Sequence, residues 1–408
     1  MQKEIVSTVI IRGTSTALNF LIALLIARHA GPAVKGDVTL LITILYFFIF
    51  FSNILGGQAL VYLIPRNKVE LLVVPAYCWS LLVSLVGFVF LKSTLLIHAS
   101  HIPAITVLSF LSSLIYIHQT ILLAKKRINT ANIVSVLAVL IQLTGVLCCF
   151  YFLNIHDVYA YIWSSLVAYA IAAGISFFMI WHLVSFKDFV KDFSAEELKE
   201  SFRYGFLYQL AEILQLFNLR YYFFQLGLQQ GPQYLGIYSI GISILEAVWI
   251  IPRSISTVHY VSTSNSNEVK QELQRTVRLL KLSLLSCGAL LLVIYFVPAS
   301  AYTFVFGEGF RDVKHSIRFL FPGIFIYNIF IVISSFYTGI GRYLPMLVSS
   351  FAGTVTLVTL SFLLIPKYVM SGAGLAASVS FAVASVLLLL FFVVEQKLEF
   401  KEQLNTGE

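Results

Sequence analysis

Gly31-Pro32-Ala33-Val34-Lys35-Gly36 returns later in the chain as Gly231-Pro232-Gln233-Tyr234-Leu235-Gly236. In both places Gly-Pro-x-x-x-Gly closes one long apolar run and opens the next. Proline lacks the N–H that a continuing helix needs, and glycine reaches backbone angles other residues avoid, so this composition suits a sharp turn between two helices. The offset is about 200 residues, near half the chain, and self-similarity at a fixed period predicts two homologous halves.

The runs on either side of these turns decide the solvent. Of 408 residues, 59% are hydrophobic and 11% charged, and the mean hydropathy is +0.89. Such a chain belongs in lipid, where a span needs about 20 mainly apolar residues and only helices or closed barrels satisfy the backbone. The runs are long and do not alternate, which predicts helices. Met1-Gln2-Lys3-Glu4 leads into the first run with no small-residue cleavage site, so no cleavable signal is expected. Cys78, Cys148, Cys149 and Cys287 all lie inside apolar runs and read as small buried hydrophobes.

Marking the polar breaks gives twelve helices, at roughly 5–28, 38–63, 71–95, 103–124, 132–153 and 158–183, then 204–228, 234–259, 277–299, 316–339, 343–365 and 373–395. The expected fold class is an all-α polytopic membrane protein, with two six-helix bundles related by pseudo-two-fold symmetry. The first bundle is placed at 1–184, a cytoplasmic linker at 185–203, the second bundle at 204–395 and a polar tail at 396–408. Ser194-Ala195-Glu196-Glu197 in the linker has the form of a helix N-cap box. With the N-terminus cytoplasmic, lysine and arginine divide about seventeen to seven in favour of the cytoplasmic side, which puts both termini there. The formal charge of +8 sits mostly in short loops, so no nucleic-acid surface is expected. No glycine-rich lysine loop for ATP phosphates is present, and no break is long enough for a soluble domain.

Five charges fall inside spans: Arg12, Arg220, Arg253, Glu212 and Glu246. A charge at helix centre costs on the order of 2.5–3.5 kcal/mol on insertion scales, so such residues face a polar cavity or a partner. On helical wheels Arg12 and Asn19 share a polar arc of about 100° with Thr8, Ser15 and Thr16, and Gln209, Glu212 and Arg220 share one of about 80°. Ser239, Ser243, Glu246, Arg253 and Thr257 make a third stripe. The glycine-proline offset puts Arg12 and Glu212 at equivalent places in the two halves. The candidate substrate-binding set is therefore Arg12, Asn19, Gln209, Arg220 and Arg253, with Glu212 and Glu246 as candidates for ion coupling. Structural alternatives stand beside this: Arg12 can snorkel to the cytoplasmic end, Glu246 and Arg253 can pair with each other or with Arg220 and Glu212, and Arg253 after Ile251-Pro252 can mark a helix end. His98-x-x-His101 reads as surface histidines and Tyr221-Tyr222-Phe223-Phe224 as an interfacial aromatic belt, with sugar stacking as the alternative. No catalytic constellation, metal site or cofactor is expected.

Phe306-Gly307-Glu308-Gly309-Phe310 and Ile365-Pro366-Lys367-Tyr368-Val369-Met370-Ser371-Gly372-Ala373-Gly374-Leu375-Ala376-Ala377, with the first glycine turn, resemble phrases of the bacterial lipid-linked oligosaccharide flippases. These are the O-antigen and capsule type of the multidrug/oligosaccharidyl-lipid/polysaccharide superfamily. The resemblance implies translocation of an undecaprenyl-pyrophosphate-linked repeat unit across the bacterial inner membrane by alternating access. It also implies a cation-lined cavity between the halves, contact with membrane lipids, and a polysaccharide polymerase and chain-length machinery as partners. The residues agree in kind: three arginines against two glutamates leave net positive charge, and guanidinium suits bidentate capture of phosphate oxygens. A drug or metabolite exporter of the same superfamily is the alternative within transporters, and organic cations would call for the opposite charge. A membrane glycan polymerase or ligase, or a structural assembly partner, are the remaining alternatives.

Overall fold

The computed structural model describes residues 2–64, 68–94, 96–125, 127–184, 195–264 and 268–406, and the side chains of 1–10 and of Arg12 are among those outside the described residues. No strand occurs among the described residues. The helical stretch Gln2–Gly56 breaks at Gly31 into α1 (2–30) and α2 (32–56). There follow α3 (Gln58–Leu63), α4 (Val69–Thr94), α5 (Ile102–Ala124), α6 (Ile128–Tyr151), α7 (Val158–Ile180) and α8 (Ala195–Gln230). The remainder is α9 (Pro232–Ala247), α10 (Ile250–Ser264), α11 (Val269–Phe296), α12 (Ala299–Phe306) and α13 (Val313–Gly339). Leu344–Thr406 then breaks at Val369 into α14 (344–368) and α15 (370–406).

Eight helical stretches are long and apolar enough to cross a membrane among the described residues, and α9 with α10 makes a ninth span bent by 48°. Gly13–Gly56 and Leu344–Leu398 each hold a break and so contain two spans apiece. Adding α8, whose Glu212, Asn218, Arg220 and Gln225 lower its apolarity, completes the twelve expected helices.

The repeated turns have the same backbone. Gly31 has φ 82° and ψ 178°, and Gly231 has φ 94° and ψ 167°, a region essentially reserved for glycine. Each is followed by proline as the next helix starts, where a missing N–H is harmless. One residue thus does what the sequence assigned to a loop, and α2 begins at 32 instead of 38. This draws Lys35 into the fold, where it is only 4% exposed and donates to Thr39 Oγ1 at 2.8 Å.

The chain forms two compact units, 1–213 and 214–408. Their border falls inside α8, beyond the expected linker; Ser194 and the rest of 185–194 lie outside the described residues. In the first unit, Leu55, Leu60, Leu72, Ile117, Ile121 and Ile180 form an apolar cluster that joins α2, α3, α4, α5 and α7. Small side chains set the closest approaches. A Cβ on Gly145 would lie 2.7 Å from Ser164, so α6 meets α7 with almost no side chain between them.

In the second unit α13 is central, packing on α9, α10, α11 and the 344–406 stretch. Pro322 interrupts it. Ser378 of α15 bridges the opening: its hydroxyl accepts from the Gly323 N–H at 3.2 Å and donates to the Phe319 carbonyl at 2.6 Å. In hydrocarbon such an inserted hydroxyl replaces the water that would serve a kinked helix elsewhere. Cys149 and Cys287 are buried, but Cys78 and Cys148 are exposed, contrary to the expectation for all four. A span has an apolar outer face, so an apolar run does not separate core from lipid contact.

Gly31→Ala and Gly231→Ala should each lower stability by about 1–3 kcal/mol, the scale for a side chain forced into such a conformation. Gly13→Ala, where an added Cβ meets nothing within 4 Å, is the control. Thermal unfolding in detergent checks this, and equal melting of all three variants would remove the turns as the organising feature.

Candidate functional site

The intramembrane charges of the second unit come together on α8, α9 and α10. Arg220 lies 11 residues before Gly231, about 16 Å down α8 at 1.5 Å per residue, which is well inside a hydrocarbon core of about 30 Å. A lone guanidinium there would be expensive, and α9 supplies the counter-charge. Arg220 Nη1 donates to Glu246 Oε1 at 2.6 Å and Nη2 to Oε2 at 2.9 Å. This is a bidentate bridge in which both fork donors meet both carboxylate oxygens. Arg220 Nη1 also donates to the Leu219 carbonyl at 3.1 Å, and its guanidinium lies 5.4 Å from the centre of the Phe223 ring. The two side chains are 18% and 16% exposed, so the bridge is screened from solvent but not sealed.

Just past Glu246 the path bends. Pro252 has no N–H to give the Val248 carbonyl, which receives the Cys287 thiol instead at 3.7 Å. The bend turns Trp249 fully inward, where its Nε1 donates to the Ile324 carbonyl at 3.0 Å. Its ring packs against Tyr327 and Phe381 at 5.1 and 6.1 Å. Arg253, one turn further, is exposed and lies 5.5 Å from the centre of that ring. Among the described residues it makes no ion pair, although it stays within Coulombic reach of Glu246. α10 continues to Ser264, so Arg253 does not mark a helix end.

The pairing left open by the sequence is therefore Arg220 with Glu246, and Arg253 takes an aromatic support in place of an acid. Two arginines against one glutamate leave this group with a net charge of +1, carried at the exposed end. A guanidinium held over an indole ring by cation–π attraction is not neutralised by it and has donors left for an anion.

The other candidates fall in the first unit or at its border. Asn19 is exposed and its Nδ2 donates to the Ser15 carbonyl at 2.9 Å, so on α1 it serves its own backbone. Gln209 is buried and Glu212 half-buried, both on α8. The side chain of Arg12 lies outside the described residues. Tyr222 and Phe223 are buried and pack edge-on with each other and with Tyr238. They are therefore core and not a belt, because α8 runs on to Gln230 and leaves them two turns inside. His98 and His101 sit side by side at a ring distance of 5.7 Å, with His98 Nδ1 against Ser100 Oγ. No metal-holding group of three or more occurs among the described residues.

Two polar centres escaped the sequence reading because neither is charged. Asn218, two residues before Arg220, is buried and accepts from Ser380. Ser380 also bonds the Gly353 carbonyl at 2.8 Å. A Cβ on Gly353 would stand 2.5 Å from Asn218 Nδ2, so only glycine allows the contact. In the first unit, buried His118 is held between Ser176 at 2.7 Å and the Tyr77 hydroxyl at 2.8 Å. An asparagine or histidine in an apolar run is the signal that would have found them.

A sequence profile described as "Polysaccharide biosynthesis protein" matches residues 69–314, more than half of the chain. The chain belongs to the polysaccharide biosynthesis protein family. No curated protein matches it. Among solved structures, an inward-facing multidrug resistance MATE family transporter of the MOP superfamily is similar with a TM-score of 0.76 and 17% identity. The match covers 95% of this chain and 96% of that one. The lipid II flippase MurJ, in an inward closed conformation, gives a TM-score of 0.73 and 15% identity over 94% and 86% of the two chains. A MOP superfamily transporter from Pyrococcus furiosus, described as having a binding pocket of reverse polarity, gives 0.69 and 16% over 97% and 96%. This member of the polysaccharide biosynthesis family thus shares the fold of MOP superfamily transporters.

Truncating Glu246 to Ala should destabilise the protein by about 3–5 kcal/mol, since it strands the Arg220 charge. The double variant Arg220→Ala/Glu246→Ala should recover much of that loss. A double-mutant cycle by steric trapping or thermal unfolding measures the coupling, and strictly additive losses would show that the bridge contributes nothing.

Proposed function

We propose that this protein is a flippase that moves an undecaprenyl-pyrophosphate-linked oligosaccharide repeat unit across the bacterial inner membrane by alternating access. The observation that carries the reading is Arg253: an exposed guanidinium inside a span, backed by the Trp249 ring and without an acidic partner among the described residues. Insertion physics disfavours such a charge unless it meets water or an anion during the working cycle. Membership of a polysaccharide biosynthesis family supports a glycan as cargo, and the fold shared with a lipid II flippase supports a lipid-linked form of it.

In this reading the pyrophosphate is the group recognised by charge. Arg253 offers it paired N–H donors, while Arg220, already committed to Glu246, fixes the α8–α9 hairpin that presents Arg253. The polyprenyl tail stays in lipid while the sugars pass through the protein. Asn19 and Gln209 are assigned to sugar hydroxyls or to the pyrophosphate, as is Arg12. With Glu246 held in the bridge, Glu212 is the carboxylate we assign to ion coupling. The protein would act without covalent chemistry and without ATP hydrolysis, with both termini in the cytoplasm, and would deliver its product to a polymerase on the far side. The likeness to multidrug transporters keeps a second reading, an exporter of small molecules. The net positive charge at Arg253 favours anions over the organic cations such an exporter would carry.

Arg253→Ala should abolish glycan export, with the lipid-linked repeat unit accumulating on the inner leaflet and the protein still inserted at normal abundance. Arg253→Lys should restore export only in part, because a point charge lacks the planar fork. Complementation of a deletion strain with quantification of surface glycan is the test, and full export by Arg253→Ala would end the proposal.

A further inference from the structure

The second of the two phrases that carry the family resemblance packs on the helix that the first one starts, at the end of the second unit that the reading above turns outward. Phe306-Gly307-Glu308-Gly309-Phe310 leads into α13, with Phe310 buried against Phe306 at a ring distance of 6.0 Å. Ile365 to Ala377 spans the α14–α15 break, and its far side clamps the first turns of α13. His315 Nε2 meets Ser371 Oγ at 2.7 Å, and Ser316 Oγ donates to Met370 Sδ at 3.5 Å. Gly374 lets α15 approach so closely that an added Cβ would stand 2.7 Å from Phe319.

This clamp leaves one face of α13 bare. At about 100° per residue, exposed Arg311 just before the helix, half-buried Lys314 and exposed Arg318 fall within an arc of about 60°, away from the buried Val313 and Leu320. Lys367, exposed at the α14–α15 break, adds a fourth cation from the second phrase. These four are more than half of the about seven lysines and arginines that the charge rule leaves on the outer side. None makes an ion pair among the described residues, although Glu308 and Asp312 are close in sequence. Three of them also sit at the positive end of the α13 dipole, where cations are disfavoured. Neither internal pairing nor helix stability accounts for them.

The level in the membrane identifies what does. α13 has 27 residues, about 40 Å of helix against a hydrocarbon core of about 30 Å, so its first turns stand at the depth of headgroup phosphates. Beside them Phe321 packs on Tyr295 at 5.6 Å, at the end of α11. That helix exposes Leu285, Val293 and Phe296, an apolar face of the kind that lipid covers. Tyr295 and Tyr368, both exposed, are interfacial residue types.

We infer that Arg311, Lys314, Arg318 and Lys367 form a docking face for an anionic glycerophospholipid of the outer leaflet, whose headgroup phosphate they share. The inference is independent of the transported substrate. The two family phrases then have a common role, because the first starts α13 at headgroup depth, and the second holds α13 in place and contributes Lys367.

The test uses the full chain in nanodiscs of mixed phosphatidylglycerol and phosphatidylcholine, with co-purifying lipid counted by native mass spectrometry. The wild-type protein should retain phosphatidylglycerol over phosphatidylcholine. Each Lys or Arg→Gln change on the face should lower that retention about fivefold, the ratio expected per cation near a charged membrane surface. Arg311→Lys with Arg318→Lys should preserve it, as should Lys397→Gln at the other end of the unit. Equal retention of both lipids by the wild type, or a fourfold Gln variant that melts normally and still selects phosphatidylglycerol, would overturn the inference. Displacement of phosphatidylglycerol by undecaprenyl pyrophosphate, with only the latter lost in the Gln variants, would also overturn it and assign the face to a prenyl pyrophosphate.

Discussion

The Arg220–Glu246 bridge is the interaction on which the candidate site depends. Hydrocarbon will not accept either charge alone, and the two are about a turn's difference in distance from Gly231, so they meet only if α8 and α9 fold back on each other there. Glycine at 231, with φ 94°, makes that reversal in a single residue. The turn and the bridge therefore fix one hairpin from two ends. Replacing a buried pair by apolar residues is often neutral in other proteins, so the bridge is better understood as fixing geometry than as a source of stability.

The bend that follows separates two roles for arginine. Before the bend, Arg220 has its donors filled by a carboxylate and a carbonyl. After it, Arg253 lies over the ring of Trp249 with no ion pair among the described residues, and Trp249 is held by the Ile324 carbonyl and by the rings of Tyr327 and Phe381. The support is rigid and the charge is uncompensated, a combination suited to an anion that must be released as well as bound. Pro252 and Cys287 belong to the same device, since the proline frees the Val248 carbonyl and the thiol answers it.

Much of the architecture was legible because each feature has a local cause. The Gly-Pro turns needed only the backbone rules of two residues, and the apolar runs marked the spans, although α2, α8, α11 and α15 extend about six to eleven residues past the expected bounds. The polar stripes found the residues that cluster on α8, α9 and α10, because helical periodicity fixes which side chains share a face. What failed depended on neighbours. Lys35 looked like a loop residue until a one-residue turn drew it inside, and Tyr222 and Phe223 looked like a belt until α8 ran two turns past them. The partner of Glu246 could not be chosen between Arg220 and Arg253, since periodicity says nothing about which face of α9 meets α8. Cys78 and Cys148 were misplaced because, in a membrane, apolar runs face lipid as readily as core.

The central claim is that the guanidinium held on Trp249 receives the pyrophosphate of a lipid-linked glycan. Tryptophan emission reports on it directly once Trp79, Trp163 and Trp181 are replaced by Phe, leaving Trp249 as the sole fluorophore. Titration with undecaprenyl pyrophosphate in nanodiscs should shift Trp249 emission saturably, weaken as salt is raised, and give no shift when Arg253 is Ala. An unchanged emission in the presence of Arg253, or the same shift without it, would contradict the account.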